Sequence, residues 1–332
     1  MTFPFDLDPH ERDPGGWCAS LLHNAELLLG CLDAVQARSV AEVGAFMGEL
    51  TRLLLRWSDE VDGTVLAIDP TPHADLEQLE REREDLELVR ETSIEALAHV
   101  PLTDAIILDG DHNYYTLSQE LDLIWRRAAD EQRALPLLLL HDVTWPHGRR
   151  DDYYVPDRIP AEHRQPIDPE RCVFPDEEGT QPTGLPYHYP AAHEGGPRNG
   201  VLTAAEDFVA AGHPQLHLAI VPAFFGLGVI WDTTGPHDDA LTGVVGAWDD
   251  NPVLQRLERN RVLHLASSQR QLRRAQDANE RVQARDQLLE RMLHSRVFWA
   301  AEMLLRVRHR DPVFSRQKIR QVMRDDGSDP GT

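Results

Sequence analysis

The sequence predicts an α/β fold: a doubly wound, mostly parallel sheet of seven strands with an antiparallel last strand, followed by a C-terminal helical extension. Two observations predict the sheet. Short apolar runs of four or five residues alternate with helical segments through the first 140 residues, which is typical of parallel strands with helices on both faces. Two later runs are close enough to pair as an antiparallel hairpin at a sheet edge. The extension is predicted because residues after Pro252 are rich in Arg and Gln and almost free of Gly and Pro.

The elements follow in order along the chain. Residues 1–35 form an N-terminal helical cap, with an amphipathic helix over 17–36. The first five strands are Ser39–Val43, Thr64–Ile68, Leu86–Val89, Ala105–Leu108 and Leu137–Leu140. Helices are expected between them over 49–58, 74–84, 93–99 and 116–130. A helix over 201–211 precedes the hairpin strands Leu216–Val221 and Leu227–Trp231, which complete a domain spanning 36–250.

Two segments depart from this alternation. Residues 144–200 are rich in Pro, Gly, His and Tyr, and a loop this long is usually a lid or a disordered insertion. Its tyrosines favour a lid over a substrate, and a solvated insertion is the alternative. Residues 251–325 are expected to form a basic helical tail with Leu289, Leu293, Val297, Ala300 and Leu304 on one face, and 326–332 a disordered end. The tail is expected to mediate self-association or, alternatively, contact with an acidic membrane surface.

Charge and composition exclude several classes of protein. The formal net charge is −23, divided into about −30 over residues 1–250 and +7 over the remainder, which argues against nucleic acid as the main partner. The three cysteines, Cys18, Cys31 and Cys172, have the spacing of neither a zinc site nor a disulfide framework. Lys318 is the only lysine, so no lysine can serve in catalysis within residues 1–250. With no signal peptide or membrane span visible, we expect a cytoplasmic protein.

The exits of the first three strands have the character of a nucleoside site. The first strand ends in Glu42-x-Gly44-x-x-x-Gly48 and leads into a helix, so that the backbone can approach a ligand closely. Asp69 at the tip of the second strand can accept hydrogen bonds from ribose hydroxyls. Ser93, after the third strand, can line the far side of the pocket, or it can cap the next helix together with Thr92.

The exits of the fourth and fifth strands carry carboxylates and imidazoles. Asp109-Gly110-Asp111-His112 follows one strand and His141-Asp142 the other. If Asp109, His141 and Asp142 converge, they suit Mg²⁺ or Mn²⁺. His112 or Asp111 would then stand beside the ion as general base. The alternative is a metal-free cluster in which these residues only hydrogen-bond.

Residues 36–235 resemble a class I, Rossmann-like S-adenosylmethionine-dependent methyltransferase. Glu42-x-Gly44-x-x-x-Gly48 is similar to its first motif and Asp69 to its ribose-binding acid. The run from Asp109 to Tyr114 is similar to the Asp-Ala-Asp-Lys-x-x-Tyr stretch of divalent-metal O-methyltransferases, and the run from His141 to Trp145 to their Asp-Asn-x-x-Trp segment.

The resemblance implies roles for these residues. Asp109, His141 and Asp142 take the metal-ligand positions, and His112 replaces the family's catalytic lysine. Asp109 is assigned to the methyl-donor site as well. Bacterial methyltransferases of sugars and natural products match Asp-Gly-Asp-His and His-Asp-Val more closely.

The resemblance also implies a reaction. We expect transfer of a methyl group from S-adenosylmethionine to a hydroxyl of a sugar or natural product, with help from a divalent metal. The other interpretations are an Fe(II)-dependent hydroxylase or hydrolase on the same fold, or a non-catalytic partner protein that binds through its tail.

Overall fold

The computed structural model describes residues 17, 19–211, 213, 215–307 and 315–325. The predicted disordered end, 326–332, and the start of the predicted N-terminal cap lie outside the described residues. The strands are β1 (Ser39–Val43), β2 (Thr64–Ile68), β3 (Leu86–Val89), β4 (Ala105–Leu108), β5 (Leu137–His141), β6 (Arg171–Val173), β7 (Leu185–Tyr187), β8 (Leu216–Val221) and β9 (Leu227–Asp232). The α-helices are α1 (Ala25–Ala34), α2 (Glu49–Val61), α3 (Ala74–Glu82), α4 (Ser93–Ala96), α5 (Tyr114–Asp130), α6 (Val201–Ala210), α7 (Asp238–Val245), α8 (Pro252–His294), α9 (Arg296–Val307) and α10 (Arg316–Asp325).

Seven strands form one sheet in the order β3-β2-β1-β4-β5-β9-β8. Strand β9 inserts between β5 and β8 and pairs antiparallel with both, while the pairs among the first five strands are parallel. The predicted α/β fold with its reversed last strand is confirmed. The sheet order brings β1 next to β4 and β4 next to β5, so the carboxyl ends of the three motif-bearing strands lie side by side.

Each face of the sheet is covered by helices, because alternate residues of the central strands point to opposite sides. On one side Val40, Ala105 and Leu139 pack in a core with leucines of α1, α2 and α7. On the other side Ala41 and Ile106 pack with apolar residues of α5 and α6. Burial on both faces explains why these strands are continuous apolar runs.

Two elements were absent from the prediction. The short helix α7 lies between the last strand and α8, and its Leu241 and Val245 are buried against the core that contains α1. The segment 144–200 contains the two-stranded hairpin β6–β7, paired through Arg171–Tyr187 and Val173–Leu185. Both elements are short, so their sequences show no clear periodic pattern. Tertiary packing stabilises them.

The C-terminal extension is helical, as predicted, but it is not one continuous helix. Residues up to Ser268 form one compact unit and those from Gln269 another, so the unit boundary falls inside α8 rather than at residue 250. Helix α8 ends at His294 and α9 begins at Arg296, which interrupts the predicted apolar face. On α9, Val297 and Leu304 are exposed. Self-association or membrane contact through this region stays a prediction. None of the described helices is both long and apolar enough to span a bilayer.

Candidate active site

The exits of β1 and β4 approach each other closely at Gly44. This glycine has a φ of +86°, and a Cβ placed on it would lie 2.1 Å from the carbonyl oxygen of Asp109. Its N–H donates to the carbonyl of Ile68 at the end of β2. A side chain at position 44 would therefore separate the strand exits, and the predicted need for glycine has a geometric basis.

Asp69 organises the loop after β1. Its Oδ2 accepts a hydrogen bond from the backbone N–H of Phe46 at 2.8 Å, and its Oδ1 accepts one from Thr71 at 2.8 Å. Each oxygen keeps a further lone pair for a ligand hydroxyl. At Gly48 the next helix begins without a side-chain cap, which leaves its first backbone N–H groups to other partners. This carboxylate and uncapped helix start fit a nucleoside ligand.

Glu42 lies in the protein interior rather than at an open surface. Its Oε2 accepts a hydrogen bond from the Thr51 hydroxyl at 2.6 Å, and burial raises the pKa of its carboxyl to about 8. Ser93 begins α4, and Thr92 caps that helix in a reciprocal capping box with Glu95. The roles of Glu42 and Ser93 in binding the methyl donor stay predictions.

Asp109, His141 and Asp142 converge, as the sequence predicted, and one donor atom of each lies within 4.8 Å of the others. The Nδ1 atom of His141 is 3.0 Å from Asp109 Oδ1 and 3.3 Å from Asp142 Oδ2. Neighbouring ligands around an octahedral ion with bonds of about 2.1 Å are about 3 Å apart. The spacing of His141 Nδ1 from the two carboxylates is therefore that of neighbouring ligands of a divalent cation.

The orientation of His141 supports the same fit. Its Nε2 is 3.0 Å from the carbonyl oxygen of Phe224, which can only accept a hydrogen bond. The Nε2 atom therefore carries a proton, and Nδ1 faces two carboxylate oxygens. An unprotonated Nδ1 atom and two carboxylate oxygens would repel one another. Their close approach therefore needs either a cation between them or a second proton on the imidazole.

The charges of the cluster are strongly coupled. Burial alone would raise the pKa values of Asp109 and Asp142, but the imidazoles of His141 and His112 hold both below the ordinary range. Burial would lower the pKa of His112, yet Asp142 and Asp109 raise it to about 9, and they raise that of His141 well above its usual value. These opposite shifts of the pKa values mean that the carboxylates favour the protonated form of both imidazoles, and the imidazoles favour the ionised form of both carboxyls.

His112 lies at the edge of the cluster. Its Nε2 is 3.4 Å from Asp109 Oδ1 and 3.2 Å from Asp142 Oδ2. Its ring packs against those of His147 and Tyr154, with centroids 5.0 and 5.6 Å away. The imidazole can therefore exchange a proton with a group bound at the cluster.

Asp111 has a different environment from His112. Its Oδ1 accepts a hydrogen bond from the backbone N–H of Tyr154 at 3.0 Å, and its Oδ2 lies 3.5 Å from the Thr116 hydroxyl. Burial raises the pKa of this carboxyl. Asp111 thus attaches the segment 144–200 to the strand exit, and its predicted part in proton transfer stays a prediction.

The segment 144–200 is held against the strand exits by a buried aspartate, Asp151. Its Oδ1 accepts hydrogen bonds from the N–H groups of Tyr114 and Gly200 at 2.8 and 2.7 Å, and its Oδ2 accepts one from the Tyr153 hydroxyl at 2.7 Å. The Asp151 N–H donates to Asn199 at 2.7 Å. One carboxylate therefore joins both ends of the segment to the start of α5.

Three of the four tyrosines of this segment divide into two groups. Tyr153 is buried and bonded within the segment, so it does not face a ligand. The ring of Tyr154 is largely exposed beside His112, and the ring of Tyr187 meets that of His147 edge to face at 4.8 Å. Only the second group forms a surface next to the cluster.

Three buried polar residues near the site were missed by the sequence reasoning. Among the described residues, Glu120 Oε1, His147 Nδ1 and Asp152 Oδ1 have no hydrogen-bond partner. Burial raises the pKa of Glu120 to about 8 and that of Asp152 to about 6, and lowers that of His147 to about 3. Glu120 could have been found, because it interrupts the apolar stripe of α5 at helical spacing. The other two lie in irregular chain without such a signal.

A cleft of about 510 Å³ is lined by Thr144 and Trp145 and by Glu258 and Arg259 of α8. A second cleft of about 310 Å³ adjoins the same two residues. Neither cleft is lined by Asp109 or His112, so the clefts and the carboxylate–imidazole cluster are separate features.

Comparison with known families finds a methyltransferase domain in residues 41–143, which runs from β1 to just beyond Asp142. No curated protein matches the chain. The matched segment contains the strand exits that carry Glu42, Asp69, Asp109 and His141.

Solved structures with a similar arrangement include three methyltransferases. The chain is 12% identical to the SAH-bound methyltransferase PaMTH1 of Podospora anserina, over 70% of this chain and 98% of that one, with a TM-score of 0.38. It is 13% identical to CalS10, an amino pentose methyltransferase of Micromonospora echinaspora, over 68% and 97% of the two chains, with a TM-score of 0.36. It is 10% identical to human N-acetylserotonin methyltransferase, over 63% and 51%, with a TM-score of 0.34.

Proposed function

We propose that the chain is a class I S-adenosylmethionine-dependent methyltransferase, as its sheet order and its matched methyltransferase domain support. We further propose that it methylates a hydroxyl oxygen of a sugar or related natural product with the help of a divalent cation, Mg²⁺ or Mn²⁺. The observation that carries the proposal is the cluster of Asp109, His141 and Asp142. Their donor atoms lie within 4.8 Å of one another, and His141 Nδ1 is 3.0 and 3.3 Å from the two carboxylate oxygens.

The roles proposed for the individual residues follow from the chemistry of methyl transfer. The sulfonium donor supplies a methyl group that is already electrophilic, so the protein has to orient and deprotonate the acceptor. A bound cation would supply positive charge that lowers the pKa of the acceptor hydroxyl. Asp109, His141 and Asp142 would hold it, and Gly44 and Asp69 would lie on the donor side.

His112 is the general base in this proposal. It stands within 3.4 Å of both ligand carboxylates, which is close enough to receive a proton from an acceptor bound at the cluster. Only the neutral imidazole can do so. Positive charge held at Asp109 and Asp142 would offset the attraction that keeps His112 protonated, and would favour the neutral form.

The surroundings of His112 support a polyhydroxylated acceptor. The exposed ring of Tyr154 offers an apolar surface to the face of a sugar ring. The amino pentose methyltransferase CalS10 is a neighbour whose acceptor class fits the same chemistry.

The Fe(II) hydroxylase interpretation is less well supported by the donor set. Non-haem iron oxygenases use two histidines and one carboxylate, whereas the cluster of Asp109, His141 and Asp142 has one imidazole and two carboxylates. An activity that requires iron and does not depend on S-adenosylmethionine would nevertheless support the Fe(II) hydroxylase interpretation.

The first experiment measures the binding of the methyl-donor product and the binding of the metal separately. S-adenosylhomocysteine is titrated into the metal-free protein by calorimetry, and Mn²⁺ is titrated into the resulting complex. We expect both to bind, and we expect Asp142→Asn to weaken Mn²⁺ binding by at least about 100-fold while S-adenosylhomocysteine still binds. Asp157→Asn is the matched control, because the Asp157 side chain is 99% exposed and paired only with Arg164.

The second experiment identifies the acceptor class. Nucleotide-linked sugars, free glycosides and phenols are incubated with S-adenosylmethionine and Mn²⁺, and methylated products are detected by mass spectrometry. Methylation of a sugar hydroxyl supports the proposal. Exclusive methylation of phenols, or equal turnover by wild type and Asp142→Asn, would overturn the acceptor class or the metal role respectively.

A further inference from the structure

The connection between β8 and β9 is a strained turn beside the carboxylate–imidazole cluster. The N–H of Gly226 donates to the carbonyl of Ala223 at 2.9 Å, and the two residues between them, Phe224 and Phe225, have φ values of +54° and +66°. Two-residue turns with positive φ at both central positions strongly favour Asn and Gly. A bulky residue in the left-handed region costs about 1–2 kcal/mol, so other contacts must hold this turn.

One of the contacts that hold it comes from α8. The backbone N–H of Phe225 donates to Glu258 Oε1 at 2.8 Å. Glu258 is 8% exposed, and its carboxylate is paired with Arg261 through two bonds of 2.7 Å. The guanidinium of Arg261 lies 4.5 Å from the centre of the Phe225 ring. Glu258 and Arg261 therefore fix both the backbone and the side chain of Phe225.

The turn contacts the cluster on its other side. The Phe224 carbonyl accepts the hydrogen bond from His141 Nε2, and the Phe225 carbonyl accepts one from the N–H of Thr144 at 2.9 Å. The first bond sets which imidazole nitrogen is protonated and how the ring is turned. The second fixes the chain two residues beyond Asp142.

We propose that Glu258 is a positioning residue that orients His141 through the Phe224–Phe225 turn, so that the start of α8 is part of the metal-binding apparatus. The proposal rests on the metal site proposed above. Without an acceptor at position 258, the buried N–H of Phe225 loses its partner and the strained turn can relax. The Phe224 carbonyl then moves, and the Nδ1 atom of His141 no longer points at the carboxylates.

The test uses two substitutions of similar size in the full-length chain. Glu258→Met removes the acceptor, whereas Glu258→Gln keeps an oxygen that can accept from Phe225. We expect Glu258→Met to weaken Mn²⁺ binding by about 10–100-fold, as losses of partners behind metal-bound histidines do, and Glu258→Gln to stay much closer to wild type. Arg259→Met is the control on the same helix, because Arg259 pairs with the exposed Asp176.

A second measurement needs no metal. Nitrogen–proton NMR of the histidine rings in the metal-free protein should show a slowly exchanging Nε2–H on His141 in wild type and Glu258→Gln, and fast exchange in Glu258→Met. S-adenosylhomocysteine binding should be unchanged in both variants, which shows that the donor side stays folded.

The outcomes separate this proposal from the metal proposal. If wild type binds no Mn²⁺, the proposed metal site fails, and the His141 ring N–H still decides whether Glu258 positions it. Equal Mn²⁺ affinity and equal ring N–H exchange in wild type and Glu258→Met would overturn the positioning role. Equal losses of Mn²⁺ affinity in Glu258→Met and Glu258→Gln would also overturn the positioning role, because they would assign the effect to the ion pair between Glu258 and Arg261.

Discussion

The two halves of the proposed site, the methyl-donor side and the acceptor side, are built in different ways. On the donor side, the Asp69 carboxylate accepts hydrogen bonds from Phe46 and Thr71, which lie 23 and two residues away in sequence. On the acceptor side, the carboxylates of Asp109 and Asp142 face imidazoles, and His141 is held by Phe224, 83 residues further along the chain. The donor side is a local structure, and the acceptor side is assembled from distant segments.

The difference indicates which substitutions should affect each half of the proposed site. The donor side is stabilised by backbone hydrogen bonds between neighbouring strand exits, so remote changes should leave it intact. By our proposal the acceptor side depends on Asp151 and Glu258, which contact neither the cluster nor each other directly in the described hydrogen-bond network. Substitutions at these two residues should therefore alter metal and acceptor binding selectively.

The largest expected effect is that of His112→Ala on turnover. Loss of a general base costs about 10²–10⁴-fold in rate, while binding of S-adenosylhomocysteine should not change. The measurement is kcat at saturating acceptor and Mn²⁺, with His99→Ala as control, because His99 is paired with Glu91 outside the site. A His112→Ala enzyme with wild-type kcat would assign the proton to another group.

The next effect is that of Asp151→Ala on stability. The change leaves two buried N–H groups and the Tyr153 hydroxyl without their acceptor, so we expect a loss of about 3 kcal/mol in the free energy of unfolding. Hydrogen exchange should show faster opening of residues 144–200 than of β1 and β2. Uniform opening throughout the sheet would contradict the division of the site into two halves.

The smallest effect concerns the pH dependence contributed by Glu42. Its pKa of about 8 in the folded protein lies above the value of 4.5 for an unperturbed glutamate, so the folded state binds the extra proton between these pH values. The contribution of Glu42 to stability is therefore full below about pH 4.5 and is lost as the pH rises through about 8, with a slope of at most about 1.4 kcal/mol per pH unit.

Glu42→Gln tests this dependence, since it keeps an acceptor for Thr51 and removes the titrating group. Denaturant unfolding between pH 5 and 9 should give a flatter stability profile for the variant than for wild type. Parallel profiles would mean that Glu42 is ionised in the folded protein.

Much of the architecture was predictable from local pattern. The first four strands have the predicted limits, and β5 is one residue longer because His141 continues its pairing with β9. The convergence of Asp109, His141 and Asp142 was predictable too, since neighbouring parallel strands end at one edge of the sheet. The internal structure of residues 144–200 could not be predicted from the sequence, because the hydrogen bonds of Asp151 and Asn199 that organise this segment have no periodic signature. Its role as a lid stays a prediction.

The sequence alone determined which residue types follow each strand. Glycines and an acid follow the strands of the proposed donor side, and carboxylates with imidazoles follow those of the proposed acceptor side. It could do so because strand exits and turn residues are specified by neighbours a few positions away. Only the tertiary structure decided that Phe224 turns His141 toward the carboxylates and that Glu258 of α8 holds that turn. These contacts join residues 83 and 33 positions apart, and the energies that select them arise only when the chain is packed.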